Sequence, residues 1–430
     1  PRGCFLDSPK NQPFISRGFG GLAAEKQRSL GAFSRFGPMQ AQMRRLTGFR
    51  DTKRLWNYTA PSQTLLHLLA LPRDLVVCAA RGVSKTSMSS RVRVAVLGAG
   101  IGRQHLRGYL GVKNAVVTAI CDLSAARAQA LAEEFALENV RIFTDIEAFF
   151  AAQCADAVSL CLPNSLHAPV ALRCFEAGLD VLCEKPLART AAEGEQIVRA
   201  AQNSGRICMV GQVLRFRDDV LALRERAALI EPYYCRVMAR RVNGIPKWGG
   251  WFTQKQSAGG GPLIDTGVHI LDLAWWLAGK PAPVAAFATN YAAFGPQKQH
   301  LGAGGAADEN GVFDVEDLAA GVVRFEGGFS IHFEASWAIS AERDARFCHL
   351  HGKNGAVLWE DETKIIAPDG TVAPFSQAVG EPFQRECAHF IECVQTRQTP
   401  DPDAQQGLVM MKILDALYES AERKREVSLV

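Results

Sequence analysis

No stretch of this chain approaches the ~18 uninterrupted apolar residues that a membrane-spanning helix needs. The nearest, Leu65 to Ala80, is broken by Pro72-Arg73-Asp74. No C-x-x-C pair occurs among the twelve cysteines. Several sit inside apolar runs, Cys161 within 158–162 and Cys208 within 207–210. They read as small buried hydrophobes of a reducing compartment and argue against a disulfide frame or a zinc site. Compositional bias is also missing: 48% hydrophobic and 21% charged residues exclude general disorder and fibrous architecture. No internal repeat is evident. Of 48 basic and 44 acidic residues, 14 and 4 fall in residues 1–90, which leaves 34 and 40 in 91–430. The body is therefore mildly acidic and gives no electrostatic reason to expect nucleic acid as a partner. A soluble, cytoplasmic protein is the expectation, with no membrane association.

What the chain does contain falls into three parts. Its 430 residues suggest two or three domains. Residues 1–90 mix Gly, Pro, Ser and Arg without lasting periodicity. Because Met88-Ser89-Ser90 stands before the first strong strand as a start would, this extension reads as lying outside the natural product; a presequence for an organelle and a basic binding arm are the alternatives. Residues 91–212 alternate short apolar runs (92–97, 115–121, 157–162, 180–183, 206–210) with amphipathic stretches, as βαβ units of a doubly wound parallel sheet do. Thr190-x-x-Glu193 reads as a capping box. Residues 213–430 show strands in succession and a closing amphipathic helix near 403–421, which predicts an α+β domain with a mostly antiparallel sheet. A Gly-rich stretch, 294–311, reads as a loop between two of its strands.

Three motifs carry chemistry. Gly98-Ala99-Gly100-Ile101-Gly102 stands at the first strand-to-helix turn, where glycines let backbone N–H groups approach a pyrophosphate at the helix N-terminus. Its third glycine comes one residue earlier than in G-x-G-x-x-G. Asp122 ends the second strand, 24 residues after Gly98, where a carboxylate accepts from a ribose diol and repels a 2′-phosphate. NAD is thus favoured, with NADP possible because Arg127 lies close by. Glu184-Lys185-Pro186 follows the fifth strand, where a lysine can stabilise negative charge on a reacting oxygen; a solvated turn lysine is the alternative. In the third motif, after Pro262, Asp265 and His269 are i and i+4 on one helical face, so the carboxylate can hold one imidazole tautomer of a general base. A buried structural pair is the alternative, and a metal is not expected, since no Cys or second His completes a ligand set with Asp272. Pro163 and Asn164 follow the fourth strand, with His167 one turn into the next helix; Asn164 either caps that helix or touches a cofactor. Trp248, Trp251 and Gln254 lie on a loop that can reach a sugar.

With these residues in view, the chain from Arg91 onward resembles the glucose–fructose oxidoreductase/inositol dehydrogenase/rhizopine-catabolism family over about 340 residues. The glycine loop followed by His105, the run from Leu162 to His167, Glu184-Lys185-Pro186, and Gly260-Gly261-x-x-x-Asp265-x-Gly267-x-His269-x-x-Asp272 carry the resemblance. It implies a Rossmann domain, a second domain whose open sheet supports a homo-oligomer (dimer or tetramer), and NAD(P)-dependent oxidation of a sugar, polyol or cyclitol hydroxyl. It also implies that Lys185 hydrogen-bonds the reacting oxygen and His269 takes its proton, with Asp265 positioning both substrate and His269. Pro163, Asn164 and Glu184 would line the nicotinamide side, His167 would stand with them, and Arg215 would line the substrate site. A non-catalytic NAD-binding sugar sensor and an NAD-dependent glycosidase working through transient oxidation are the rival functions.

Overall fold

The computed structural model describes residues 91–246, 248–302 and 310–430. The basic extension 1–90 and the centre of the Gly-rich stretch, 303–309, lie outside the described residues. The strands read from apolar runs form one parallel sheet: β1 (Val92–Leu97), β2 (Ala115–Cys121), β3 (Arg141–Phe143), β4 (Ala157–Leu160), β5 (Asp180–Glu184) and β6 (Cys208–Gly211). β4 and β5 are buried at every residue, as strands covered on both faces must be. The strand order is β3-β2-β1-β4-β5-β6, so the winding reverses between β1 and β4 and leaves a crevice beyond their carboxyl ends. Five helices cover the sheet: α1 (Gly102–Leu110), α2 (Ala125–Glu134), α3 (Ile146–Ala151), α4 (Asn164–Glu176) and α5 (Ala191–Ser204).

Two local expectations are corrected. The fourth strand stops at Leu160, because Cys161 and Leu162 already bend into the Pro163 turn. The capping box is half realised: Thr190 accepts the Glu193 N–H at 3.3 Å, but the Glu193 carboxylate takes the N–H of Arg189, where it also meets that residue's guanidinium.

After α6 (Asp218–Ala227) the chain builds a nine-stranded sheet from β7 (Pro232–Arg240) onward. It continues through α7 (Val268–Leu277), β8 (Pro283–Tyr291), β9 (Leu318–Phe325), β10 (Ser330–Ser336), β11 (Ala345–Gly352), β12 (Gly355–Trp359), β13 (Lys364–Ile366) and β14 (Val372–Pro374). Then follow α8 (Pro382–Thr396), α9 (Ala404–Arg423) and the edge strand β15 (Val427–Ser428). Every pairing is antiparallel except β7 with β10. One face is core: Ala286, Val323, Ile331, Cys235, Leu350 and Val357 are buried. The last two helices return to the nucleotide sheet. α8 lays Cys387, Phe390 and Ile391 into the same core as Val92, Val94 and Leu106, and α9 packs between α5 and β8. All ten described cysteines are free thiols, nine of them buried, as their apolar settings predict.

Candidate active site

A helix that is apolar around its whole circumference belongs in the interior. α7 and the turn before it obey this rule with three exceptions. From Gly261 to Leu277 only Asp265, Thr266 and His269 escape full burial, and all three open on one cleft of about 1250 Å³. The cleft runs from these residues to the carboxyl ends of β1 and β4.

Its far end is built mainly from backbone. Gly98 has φ +102°, and a Cβ there would overlap the carbonyl oxygen of Cys161, so only glycine makes this turn. Gly100 and Ile101 line the cleft, and beside Gly100 the space is open. Gly102 faces away from the cleft: a Cβ would stand 2.7 Å from Val96, so this glycine lets α1 sit close against β1. Asp122 accepts the N–H groups of Ala99 and Ser124, both at 2.8 Å, and the Arg127 guanidinium at 2.7 Å. Burial pushes its carboxyl up, but these N–H groups and Arg127 outweigh burial and hold it below the usual carboxylate range. An open glycine turn at a helix start with an ionised carboxylate beside it fits a dinucleotide, shortened loop included.

Between the two ends, buried hydrogen bonds fix the turns. Glu184 meets His105 Nε2 at 2.8 Å; His105 Nδ1 lies 3.1 Å from Ser159, which in turn meets Tyr109 at 2.7 Å. Burial pushes the Glu184 carboxyl up, while the hydrogen bond to His105 and the Lys185 charge outweigh it and keep it ionised. His167 is fully buried, with ring nitrogens 2.7 Å from the Pro186 carbonyl and 2.9 Å from that of Leu162. It braces two turns against each other and does not reach the cleft, which corrects its expected cofactor contact. Asn164 lines the cleft and does not cap α4: its amide donates to the Ala258 carbonyl at 2.7 Å. Pro163 and Glu184 line the cleft.

At the near end, Lys185 and Asp265, 80 residues apart, converge. The Lys185 ammonium donates to the Asp265 carboxylate at 3.0 Å and to its carbonyl at 2.8 Å, and Trp337 Nε1 donates to the other carboxylate oxygen at 2.9 Å. Burial raises the Asp265 carboxyl, and Lys185 together with Trp337 more than reverses this. The expected Asp265–His269 hydrogen bond is absent. Leu263–Gly267 is a π-helical turn, and an ammonium is the stronger partner for a carboxylate. His269 Nδ1 is buried without a partner among the described residues. Burial, then the Lys185 charge, lowers this imidazole to about 3, so it is neutral at physiological pH.

Two further expectations are corrected. Arg215 is 1% exposed and bound within the protein, to Asp272 at 2.6 and 2.8 Å, Asp401 at 2.9 Å and Gln406 at 2.7 Å. It joins α7 to the segment before α9 and does not face the cleft. Gln254 donates to the Gly249 carbonyl and Trp248 to that of Gly295, while Trp251 does line the cleft, stacked on Phe252 with centroids 3.7 Å apart.

The sequence reading passed over Arg241, Arg346 and Thr266 on the cleft wall, and Trp337 and Glu386 behind it. An Arg at a strand end or a Glu in an amphipathic helix carries no local mark of function. Ligand atoms of Glu386, Glu184 and His105 lie within 4.8 Å of one another, and both Glu386 oxygens are buried without a partner among the described residues.

Residues 92–212 match the model of an oxidoreductase family with an NAD-binding Rossmann fold, and 227–429 match that family's C-terminal alpha/beta domain. The chain belongs to this family. It is 32% identical to a D-glucoside 3-dehydrogenase of Escherichia coli over 79% of this chain and 98% of that one. It is 27% identical to a D-xylose 1-dehydrogenase (NADP(+)) of Haloferax volcanii, over 77% and 97% respectively. A levoglucosan dehydrogenase solved with NADH and levoglucosan shares the fold, with TM-score 0.69 and 22% identity over 79% of this chain and 100% of that one. This family member is an NAD(P)-dependent oxidoreductase of the sugar dehydrogenase kind, and its relatives favour neither the sensor nor the glycosidase. Among the described residues no helix is long and apolar enough to cross a membrane.

Proposed function

We propose that the protein oxidises a secondary hydroxyl of a sugar, polyol or cyclitol, with Lys185 holding the reacting oxygen and His269 taking its proton. The supporting observation is the opening of Asp265, Thr266 and His269, alone in an otherwise sealed stretch, onto the cleft that Lys185 enters from the nucleotide half. A nicotinamide coenzyme bound beyond β1 and β4 supplies the hydride acceptor. An ammonium has three donors. Two of Lys185's are spent on Asp265, which fixes its direction and leaves one for the substrate oxygen. There it stabilises the negative charge that develops on oxygen. His269, neutral before reaction and with Nδ1 sealed, exchanges the proton through Nε2. The Glu184 and Asp265 charges nearby favour the imidazolium that results. Trp251 offers an aromatic face for a sugar ring.

Asp122 favours NAD through the ribose diol, and Arg127, half of a 2.7 Å ion pair with it, tempers the exclusion of NADP. The nucleotide is bound by residues 91–212, and 213–430 supply the substrate wall and the surface for assembly. The uncovered face of the nine-stranded sheet supports a homo-oligomer: Phe287, Val322, His332, Arg236, His349 and Leu358 form one row across it and none is buried. A cytoplasmic setting accords with the free cysteines. The test is His269→Ala: NADH formation across a panel of sugars and cyclitols should fall by roughly 10²–10⁴-fold while NAD affinity holds. Undiminished turnover in that variant would take His269 out of the reaction.

A further inference from the structure

Two arginines on the cleft wall have no work in the mechanism above. In the β7–β11 ladder Arg346 stands opposite Ala239, and Arg241 follows Ala239 by two, its N–H still on the Ser336 carbonyl at 3.0 Å. Side chains alternate along a strand, so both share the face of Ala239. That is the face of Val237 and Cys235, which lie in one core with Val268 and Leu271 of α7. The register thus delivers two guanidiniums to the strand ends beside the helix that carries His269, and both line the same cleft.

Neither has a hydrogen-bonded carboxylate among the described residues. Their neighbours are satisfied: Arg217 is bound to Asp219 at 2.7 and 3.0 Å, and Arg215 to Asp272 and Asp401. The carboxylates on the same wall do not serve them as ion-pair partners. Asp344 accepts the Val242 N–H at 2.8 Å, and Asp361 forms no ion pair among the described residues. Arg346 lies over the Trp359 ring, 5.6 Å from its centroid, a contact that steadies the side chain while leaving its donors unspent. Arg346 keeps an exposed tip, and the charges of Arg217 and Arg241 oppose its own, offset only in part by Asp361 and Asp219. Two neighbouring like charges that no carboxylate pairs directly are unfavourable, and an oxyanion relieves them, because the guanidinium fork matches carboxylate and phosphate oxygens bidentately.

We propose that Arg241 and Arg346 form an anion subsite, so that the sugar taken by this cleft carries a carboxylate or a phosphate. That this sugar is oxidised rests on the redox reading above; the subsite itself is a matter of binding. Both are tested on the full chain with NADH bound, by calorimetric titration of four probes. These are methyl glucoside, methyl glucuronide, and glucose bearing phosphate at its anomeric or its terminal carbon. At least one anion should bind about 10- to 100-fold tighter than the neutral glucoside, the worth of hydrogen bonds to a charged group. The tighter class tells carboxylate from phosphate. Arg241→Gln and Arg346→Gln should each erase most of that preference, and added salt should shrink it. A neutral glucoside that binds as well as all three anions, or a preference that survives both substitutions, overturns the subsite. NADH formation from NAD, read separately, decides the redox reading: its failure with every probe while the anion preference holds would leave the subsite standing and remove the reaction.

Discussion

The two ends of the cleft are built by different means. The nucleotide end is local: Gly98, Gly100 and Asp122 lie within 24 residues, and its donors are backbone N–H groups pointed by one tight turn. The substrate end is assembled across the fold. Lys185, Asp265, Trp337 and Arg346 come from four separate elements, and side-chain hydrogen bonds link the first three through Asp265. A site made of backbone changes little when one side chain is altered, whereas a site made of converging charges depends on each partner. The substrate end should therefore respond more steeply to single substitutions than the nucleotide end.

After His269→Ala, the largest effect should come from Lys185→Met. It removes the proposed donor to the reacting oxygen and leaves Asp265 without its ammonium, so turnover should fall by about 10²–10³-fold, the range for losing one donor to a developing oxyanion. Stopped-flow measurement of NADH formation reads this directly; a loss under tenfold would mean that Lys185 only anchors Asp265. Asp122→Ala is the matching cut at the other end. It removes the carboxylate proposed to hold the ribose and, with it, the acceptor of the Ala99 N–H, while the glycines of the turn stay, so NAD affinity should weaken by about 10- to 100-fold with turnover at saturation nearly kept. NADP should lose less, and the ratio of the two affinities should move toward one. Equal losses for both coenzymes would show that Asp122 serves the loop and not the ribose.

This asymmetry also explains what the sequence made legible. Most of the parallel sheet, most of its helices and the glycine turn rest on short-range patterns and were readable. β3 and α3 escaped because a three-residue strand with no buried position leaves no periodicity to detect. At the substrate end the residues themselves were readable, since Lys185, Asp265 and His269 stand in recognisable spacings, but their partners were not. Regular i, i+4 spacing suggested that Asp265 serves His269. A π-helical turn and an ammonium from 80 residues away redirected it to Lys185. Arg215 was misplaced for the same reason: its partners Asp272 and Asp401 are distant in sequence, and only the fold brings them to it.

Glu386 offers the smallest and most specific test of how the two ends are joined, because it lies behind Glu184, where both meet. Burial, then the charge of Glu184, raises its carboxyl well above the usual range, so the folded protein keeps it protonated when the unfolded chain, titrating near 4.5, has already lost the proton. A raised acid contributes stability that is whole below the unfolded pKa and is lost as pH rises toward the folded one. Glu386→Met removes both the titration and two oxygens buried without partners among the described residues. The variant should therefore gain on the wild type by about 1–3 kcal/mol at pH 8 and by less at pH 5, a few degrees in Tm. Since Met keeps the volume but not the acid, unchanged NAD affinity and turnover alongside that gain would show that His105 and the Lys185 N–H hold Glu184 without Glu386. A fall in turnover with NAD affinity intact would instead make Glu386 a positioning residue for the substrate end, joined to Lys185 through Glu184.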